Sequence, residues 1–408
     1  MENTKAKDTR RTFGRKLMLG GAGLAALQAV PGWLHAAGAT GTAEASRWAQ
    51  SAAPGQPEPT ASFTGDASLK AHAAARGLFV GAAVNLGLLT REPGYRQTLI
   101  DQCNIVVAEN AMKWAPMRPA PDQFFFDDAD RFVAFAEEHG MAVRGHNLCW
   151  HEQLPPWFAA TVNKQNAEQY LVQHIKTVMT RYKGKIRAWD VVNEAIKPED
   201  GKPEGLRDSP WYRLLGPRYL EIAFRTARSV DPAALLTYND YDIETDGAAQ
   251  GAKRQAVMGL ITRLKQGGVP IDALGVQSHL SAGSASKIDG GLAALVAQTR
   301  ALGMKVFITE LDVNDDSLEG DDGADREKSV AGIYGSYVGS MLSSPAVTDV
   351  LCWGVADRYS WLNSKGKDGS KWRPKHPDRE EVCLPFDNNY QPHPAFFALR
   401  AALGSRKA

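Results

Sequence analysis

The sequence predicts an α/β chain folded as a single (β/α)8 TIM barrel, and three observations predict it. Eight short apolar runs recur along the chain. Amphipathic stretches of helical period separate them, which makes the runs strands buried on both faces of a parallel sheet. Polar residues collect at the carboxyl ends of these runs, and a barrel gathers such ends on one face. An open doubly wound sheet is the alternative, but no glycine-rich phosphate turn supports it.

The first residues read as an address. Thr9 to Phe13 (TRRTF) contains paired arginines, and Arg15 and Lys16 extend the positive region. A glycine- and alanine-rich apolar stretch runs from Leu17 to Leu34, and small residues follow at Ala36, Ala37, Gly38 and Ala39. This order is that of an export signal, and the arginine pair points to the Tat route. The stretch is short and glycine-rich for a membrane span. Residues 1–40 are therefore expected to be cleaved, leaving a periplasmic or secreted protein that is not held at a membrane. Residues 41–60 are rich in Ala, Pro, Ser and Gly and read as a flexible linker. Residues 61–405 are expected to form one domain.

Within that domain the apolar runs are Leu78–Val84, Asn104–Ala108, Ala142–Asn147, Ile186–Val192, Leu235–Asn239, Ala273–Gln277, Val306–Leu311 and Val350–Val355. Helical patterns lie between them. Asp127–His139 places Phe132, Phe135 and Ala136 on one face, and Ala167–Tyr182 places Tyr170, Leu171, His174, Ile175 and Val178 likewise. Tyr219–Ser229, Gln250–Gln266, Gly291–Leu302 and Arg326–Leu342 are similar, and Ala395–Leu403 closes the series behind Pro392 and Pro394.

Composition narrows the chemistry. A formal net charge of +1 gives no reason to expect nucleic acid as a partner. Ten tryptophans suit a sugar ligand, because flat aromatic faces stack on sugar rings, although core packing accounts for many. Cys103, Cys149, Cys352 and Cys383 have no metal spacing, and they read as buried thiols. A Tat passenger folds before it leaves a reducing compartment, which argues against bridges. Cys352 and Cys383 are the pair to test. His146, His151, His279 and His376 are spread without metal spacing, so neither metal nor cofactor is expected. His174 fits packing. No G-x-S-x-G nucleophile signature occurs.

Carboxylates remain. Glu109 follows the second strand, Glu194 the fourth, and Glu310 and Asp312 close the seventh. Paired carboxylates in an aromatic-rich cleft suit glycoside hydrolysis. One must start protonated, to give its proton to the departing oxygen, and one ionised, to attack the anomeric carbon. With Glu310 ionised opposite it, Glu194 keeps its proton; once Glu310 has formed an ester that charge is gone, and Glu194 can act as base toward water. Gln277 and His279, at the neighbouring strand end, are expected to supply donors to Glu310, with Asp312 holding the His279 ring.

WDVVNEA (Trp189–Ala195), ITELDV (Ile308–Val313), ENAMKW (Glu109–Trp114), RGHNLCWH (Arg144–His151), YNDY (Tyr238–Tyr241), GVQSHL (Gly275–Leu280) and WGVADRYSWL (Trp353–Leu362) together resemble glycoside hydrolase family 10, the retaining endo-β-1,4-xylanases. The resemblance runs from about Ser62 to Leu403. It implies Glu194 as acid/base and Glu310 as nucleophile, with a carboxyl separation of roughly 5–5.5 Å for retention. It implies that Asn193 bonds the 2-hydroxyl of the sugar being cleaved, and that His146, Trp150 and Gln277 line that subsite. Glu109, Asn110 and Lys113 would hold the next sugar toward the non-reducing end, and Trp353 and Trp361 would wall these subsites. Asn239 and Tyr241 would face the leaving group, His279 would border the nucleophile, and Asp312 would orient it. Xylan or xylo-oligosaccharides are the implied partners, and a monomer is expected.

Trp114 and Trp157 read as packing, while Trp211 and Trp372 fit either role. An acidic run, Asn314–Arg326, and a basic, proline-rich run, Lys365–Glu381, follow the last two strands. They either pair over the cleft or stay solvated. The rival readings are the same machinery acting on β-1,4-glucan, a carbohydrate-binding barrel without catalysis, and a periplasmic enzyme preferring short oligosaccharides.

Overall fold

The computed structural model describes residues 62–283, 288, 290–320, 322–366 and 372–406. The expected export signal and linker lie outside the described residues.

The strands are β1 (Phe79–Val84), β2 (Ile105–Ala108), β3 (Ala142–His146), β4 (Ala188–Asn193), β5 (Leu235–Asp240), β6 (Ala273–Val276), β7 (His279–Ser281), β8 (Lys305–Asn314) and β9 (Val347–Cys352). Neighbours pair in parallel from β1 through β6, β1 also pairs with β9, β9 with β8, and β8 with β6, so eight strands close a barrel. All eight expected runs are barrel strands. β7 is an addition: among the described residues its three residues pair only with the far end of β8, His279 opposite Asp312.

The seven expected helices are present, with ends shifted by less than a turn: Asp127–Glu138, Ala167–Arg181, Arg218–Val230, Ala248–Gln266, Gly290–Ala301, Gly323–Leu342 and Pro394–Ser405. The first has three acids in its opening turn, where the helix dipole favours them. An eighth, Pro93–Gln102, joins β1 to β2 and starts on a proline, which tolerates that position because no partner is needed for its missing N–H.

Inside the barrel Ala188, Ala273 and Phe307 pack with Leu235, and Ala83, Ile105, Val107 and Leu351 pack with Phe79, Ala142 and Trp353. Truncating the fully buried Phe307 to Ala would cost about 3–5 kcal/mol. The larger core lies between strands and helices. There Trp189 packs so closely on β3 that a Cβ on Gly145 would fall 2.2 Å from its ring.

Both strands bearing the candidate carboxylates are bulged. Asp190 pairs with Thr237 but Val192 with Tyr238, two steps against one. Ile308 pairs with Val350 but Leu311 with Cys352, three steps against two. Bulges re-aim side chains: Glu310 sits inside one and Glu194 two residues beyond the other.

All four cysteines are free and buried, Cys352 and Cys383 included. The charged runs pair with each other. Lys375 forms an ion pair with Glu319, the Asp316 carboxylate accepts from the His376 amide at 2.7 Å, and Arg379 donates to the carbonyls of Leu318 and Gly320 at 3.0 Å. The link is closed by Glu381, which is buried and accepts from the Asp315 amide at 3.0 Å.

Candidate active site

Glu310 projects from the β8 bulge and is buried. Its Oε1 accepts a hydrogen bond from Asn239 Nδ2 at 2.8 Å. Its Oε2 lies 3.4 Å from His279 Nε2, and the other ring nitrogen of His279 lies 3.0 Å from Asp312 Oδ1. Asp312 Oδ2 accepts from Trp361 Nε1 at 2.7 Å. Burial alone would raise the pKa of Glu310; the His279 hydrogen bond and the electrostatic influence of His146, His279 and Arg144 outweigh it and bring the pKa to about 2. Burial would likewise lower the pKa of His279, but Asp312 and Glu310 raise it well above 6.5. The pair is thus an imidazolium donating to a carboxylate.

Glu194 stands at the end of β4 with φ of 56°, a left-handed conformation that turns its side chain away from the strand path. Its amide donates to the Asn239 carbonyl at 2.8 Å. Its Oε1 accepts from Asn193 Nδ2 and Gln277 Nε2, both at 3.0 Å. Its Oε2 faces His151 Nδ1 at 3.9 Å and Arg207 Nη2 at 4.0 Å. Arg207 also donates to the Glu194 carbonyl at 2.6 Å and to the Tyr241 hydroxyl at 2.8 Å. Gln277, expected as a donor to Glu310, therefore serves Glu194, and Asn239 takes that place at Glu310.

Asn239 does not reach a leaving-group side. It is fully buried beneath both carboxylates. Its Nδ2 also donates to Asn193 Oδ1 at 2.8 Å, and its Oδ1 accepts from Thr309 Oγ1 at 2.8 Å. It can lie there because β6 has a glycine opposite: a Cβ on Gly275 would fall 2.2 Å from Asn239 Oδ1.

The remaining expected residues gather beside this pair. Asn110 Nδ2 donates to Glu109 Oε1 at 3.1 Å, and Lys113 Nζ to Asn110 Oδ1 at 3.1 Å. The Lys113 ammonium sits 5.1 Å from the Trp150 ring centre and 5.8 Å from that of Trp353, within cation–π range. Burial lowers its pKa, against the charges of Glu310, Glu109 and Glu194. His146 donates or accepts through Nδ1 at 2.8 Å from Asp190, which also pairs with Arg144 in the barrel. Its ring is 5.5 Å from Trp353 and 6.3 Å from Trp150. His279 lies 5.4 Å from Trp361 and 6.4 Å from Trp353.

Of the other tryptophans, Trp114 and Trp211 are buried and Trp157 bonds the Arg118 carbonyl. Trp372 packs on Trp361 with centres 6.0 Å apart. His174 is buried against Trp114, rings stacked 3.8 Å apart.

Three residues of the site have a role that was not expected from the sequence. Asn85 follows β1 and donates to Glu109 Oε2 at 3.0 Å; the strand-end rule applied to β1 would have found it. Arg207 lies on a loop, where no periodic signal marks it, and His151, read from the sequence only as a candidate metal ligand, closes the RGHNLCWH stretch beside Trp150.

Together these groups make an ionised carboxylate and a second carboxyl group in unlike settings, connected through Asn193 and Asn239, beside a wall of Trp150, Trp353 and Trp361. Such a site can supply a nucleophile and an acid/base to one bond.

Residues 68–402 match the family model described as glycosyl hydrolase family 10. The chain is 36% identical over 321 residues to Endo-1,4-beta-xylanase 3 of Hypocrea jecorina, covering 78% of this chain and 80% of that protein. Among solved structures, it is similar to native xylanase 10B of Thermotoga maritima, with 34% identity and a TM-score of 0.73 over 82% of this chain and 98% of that one. Xylanase 10B of Thermotoga petrophila in complex with xylobiose gives 34% identity and a TM-score of 0.72 over 82% and 97%.

Proposed function

The chain belongs to glycosyl hydrolase family 10, and on that premise we propose that it is a retaining endo-1,4-β-xylanase. It cuts internal β-1,4-xylosidic bonds of xylan or xylo-oligosaccharides by double displacement. The observation that carries this reading is the unlike setting of its two carboxylates. Glu310, held ionised by His279 and Asn239, attacks the anomeric carbon. Glu194 gives its proton to the departing oxygen, and the C–O bond breaks as the ester to Glu310 forms. Water then loses a proton to Glu194 and adds to the same carbon, and Glu310 leaves as carboxylate.

The surrounding residues take roles that fit their places. Asn193 grips the 2-hydroxyl. His146, Trp150 and Gln277 line the subsite of the cleaved sugar, and Glu109, Asn110 and Lys113 hold the next. Trp353 and Trp361 wall these subsites, and Tyr241, fixed by Arg207, borders the leaving group. Export through the Tat route belongs to the same proposal and rests on Arg10, Arg11 and the apolar stretch behind them. A monomer working outside the cytoplasm completes it.

The test is hydrolysis of xylan against carboxymethylcellulose, with the product anomer followed by NMR from the first turnover. Xylan should be preferred, and the β-anomer should appear first. Release of the α-anomer first contradicts the proposal.

A further inference from the structure

Between Gln277 and His279 stands Ser278, fully buried and at φ of 67°. Gln277 reaches Glu194 and His279 reaches Glu310, so this one residue separates the groups that serve the two carboxylates. Its conformation decides where both point. A non-glycine residue stays at positive φ only where its surroundings over-determine it.

Those surroundings can be named. The Ser278 amide donates to Glu244 Oε1 at 2.8 Å. The Ser278 hydroxyl lies 3.1 Å from the Val276 carbonyl and 2.6 Å from the Tyr337 hydroxyl. On either side, the Glu310 amide donates to the Gln277 carbonyl at 2.9 Å, and the Asp312 amide to the Ser278 carbonyl at 3.3 Å. Val276 pairs with Ile308 and His279 with Asp312, so the chain through Ser278 takes three steps where β8 takes four. A backbone out of step with its neighbour needs an anchor at that point.

Glu244 is shaped as that anchor. It follows β5 and is 3% exposed. Its second oxygen accepts from the Ile243 amide at 2.8 Å, so both oxygens serve backbone amides. Burial, then the charge of Asp242, raises its pKa to about 7 against the help of these amides. Keeping a carboxyl group there is costly, and a neutral apolar residue of the same size would leave the Ser278 N–H buried without an acceptor. The groups facing Glu244 are Asp242 from its own loop, Ser278 from the turn after β6, and Tyr337 from the helix Gly323–Leu342.

We infer that Glu244 is a positioning residue for both steps of the reaction: it pins the amide of Ser278 and thereby keeps Gln277 on Glu194 and His279 on Glu310. It touches neither carboxylate and acts through the backbone between their partners. The inference rests on the roles proposed above for Glu194 and Glu310.

The experiment compares wild type with Glu244→Ala, Glu244→Asp and Glu244→Gln on xylotetraose, recording kcat, KM, the pH profile of kcat/KM and the melting temperature. Glu244→Ala lowers kcat by roughly ten- to a hundredfold, since misplacing a partner by an ångström has that scale of effect. It changes KM by less than about threefold and moves the acid limb of kcat/KM to higher pH, because Glu310 loses its His279 bond. Glu244→Asp keeps a carboxyl group but withdraws it by a methylene, and it moves both readings in the same direction; it decides the matter if the Ala variant does not fold. Glu244→Gln presents its amide oxygen to Ser278 while its NH2 group meets the Ile243 N–H, donor against donor, and it recovers part of kcat and of the acid limb. The inference is overturned if Glu244→Ala or Glu244→Asp folds with wild-type kcat and acid limb and loses only melting temperature. It is overturned too if Glu244→Gln is no better than Glu244→Ala, or if neither the Ala nor the Asp variant folds, since the role is then structural. Wild-type hydrolysis of xylotetraose with retention, measured in the same series, separates the two readings. A failure there falls on the proposed function, and a failure confined to the variants falls on Glu244.

Discussion

The side-chain amide of Asn239 lies 2.8 Å from Oε1 of Glu310 and donates to it. The same amide is 2.8 Å from Asn193 Oδ1, and Asn193 in turn donates to Glu194 at 3.0 Å. The two carboxylates are therefore joined through two asparagines. Neither can shift without disturbing the bond that orients the other.

Replacing Asn239 should show this coupling. Asn239→Ala removes one donor to Glu310 and the acceptor's partner at Asn193, and kcat should fall by about 10²–10³, the scale for loss of one preorganised donor. Asn239→Asp should also move the acid limb of kcat/KM upward, because a carboxylate would then face Glu310. A pH–rate series on both variants checks this; a wild-type profile in Asn239→Asp would speak against it.

Asp312→Asn should act on the alkaline side. Asp312 is the larger of the two influences that hold the His279 proton. Without its charge His279 loses that proton at lower pH, and Glu310 loses a charged donor. The alkaline limb of kcat/KM should move to lower pH, with kcat at neutral pH down by about tenfold. Titration of the His279 ring by NMR in wild type and variant measures the cause directly.

Stability should also depend on pH through Glu310. Its pKa is about 2 in the fold against an ordinary 4.5. A depressed carboxylate contributes stability that is present above 4.5 and lost as pH falls through about 2. The melting temperature of wild type minus that of Glu310→Gln should therefore shrink as pH is lowered from 5 to about 2. Calorimetry of the pair across that range tests the sign.

The latch between the charged loops has the opposite sign. Burial, then Asp315, raises the pKa of Glu381 well above the carboxylate range, and Asp315 Oδ1 is buried with no other hydrogen-bond donor among the described residues. A raised carboxyl pKa gives stability that is present at acid pH and lost as pH climbs into the alkaline range. Glu381→Gln keeps an acceptor for the Asp315 amide, offers Asp315 a donor, and carries no charge. The variant should melt above wild type at pH 9 and near it at pH 4.5, with each kcal/mol worth about 2–4 °C. Thermal scans at the two pH values suffice.

The sequence revealed what periodicity and strand ends can carry. The barrel strands are continuous apolar runs because they are buried on both faces, and the carboxylates stood at their tips. The helix Pro93–Gln102 did not show, because Thr98 and Gln102 are buried polar residues that blur its apolar face. β7 is too short to carry a pattern. The roles of Gln277 and Asn239 were not legible either. Both side chains were placed at the right strand ends, but the bulges in β4 and β8 decide which carboxylate each meets, and a bulge leaves no mark in hydropathy. Arg207 and His151 depend on loop paths. The charge of the two loops was visible, whereas their pairing needed the fold.

The most direct test of the central claim is the product formed when each carboxylate is replaced and azide is added to a nitrophenyl xylobioside. Glu310→Ala and Glu194→Ala should both be nearly inactive on xylan. Azide should then yield an α-glycosyl azide from Glu310→Ala and a β-glycosyl azide from Glu194→Ala. A Glu310→Ala enzyme that keeps near wild-type hydrolysis, or that gives the β-azide, would contradict that claim.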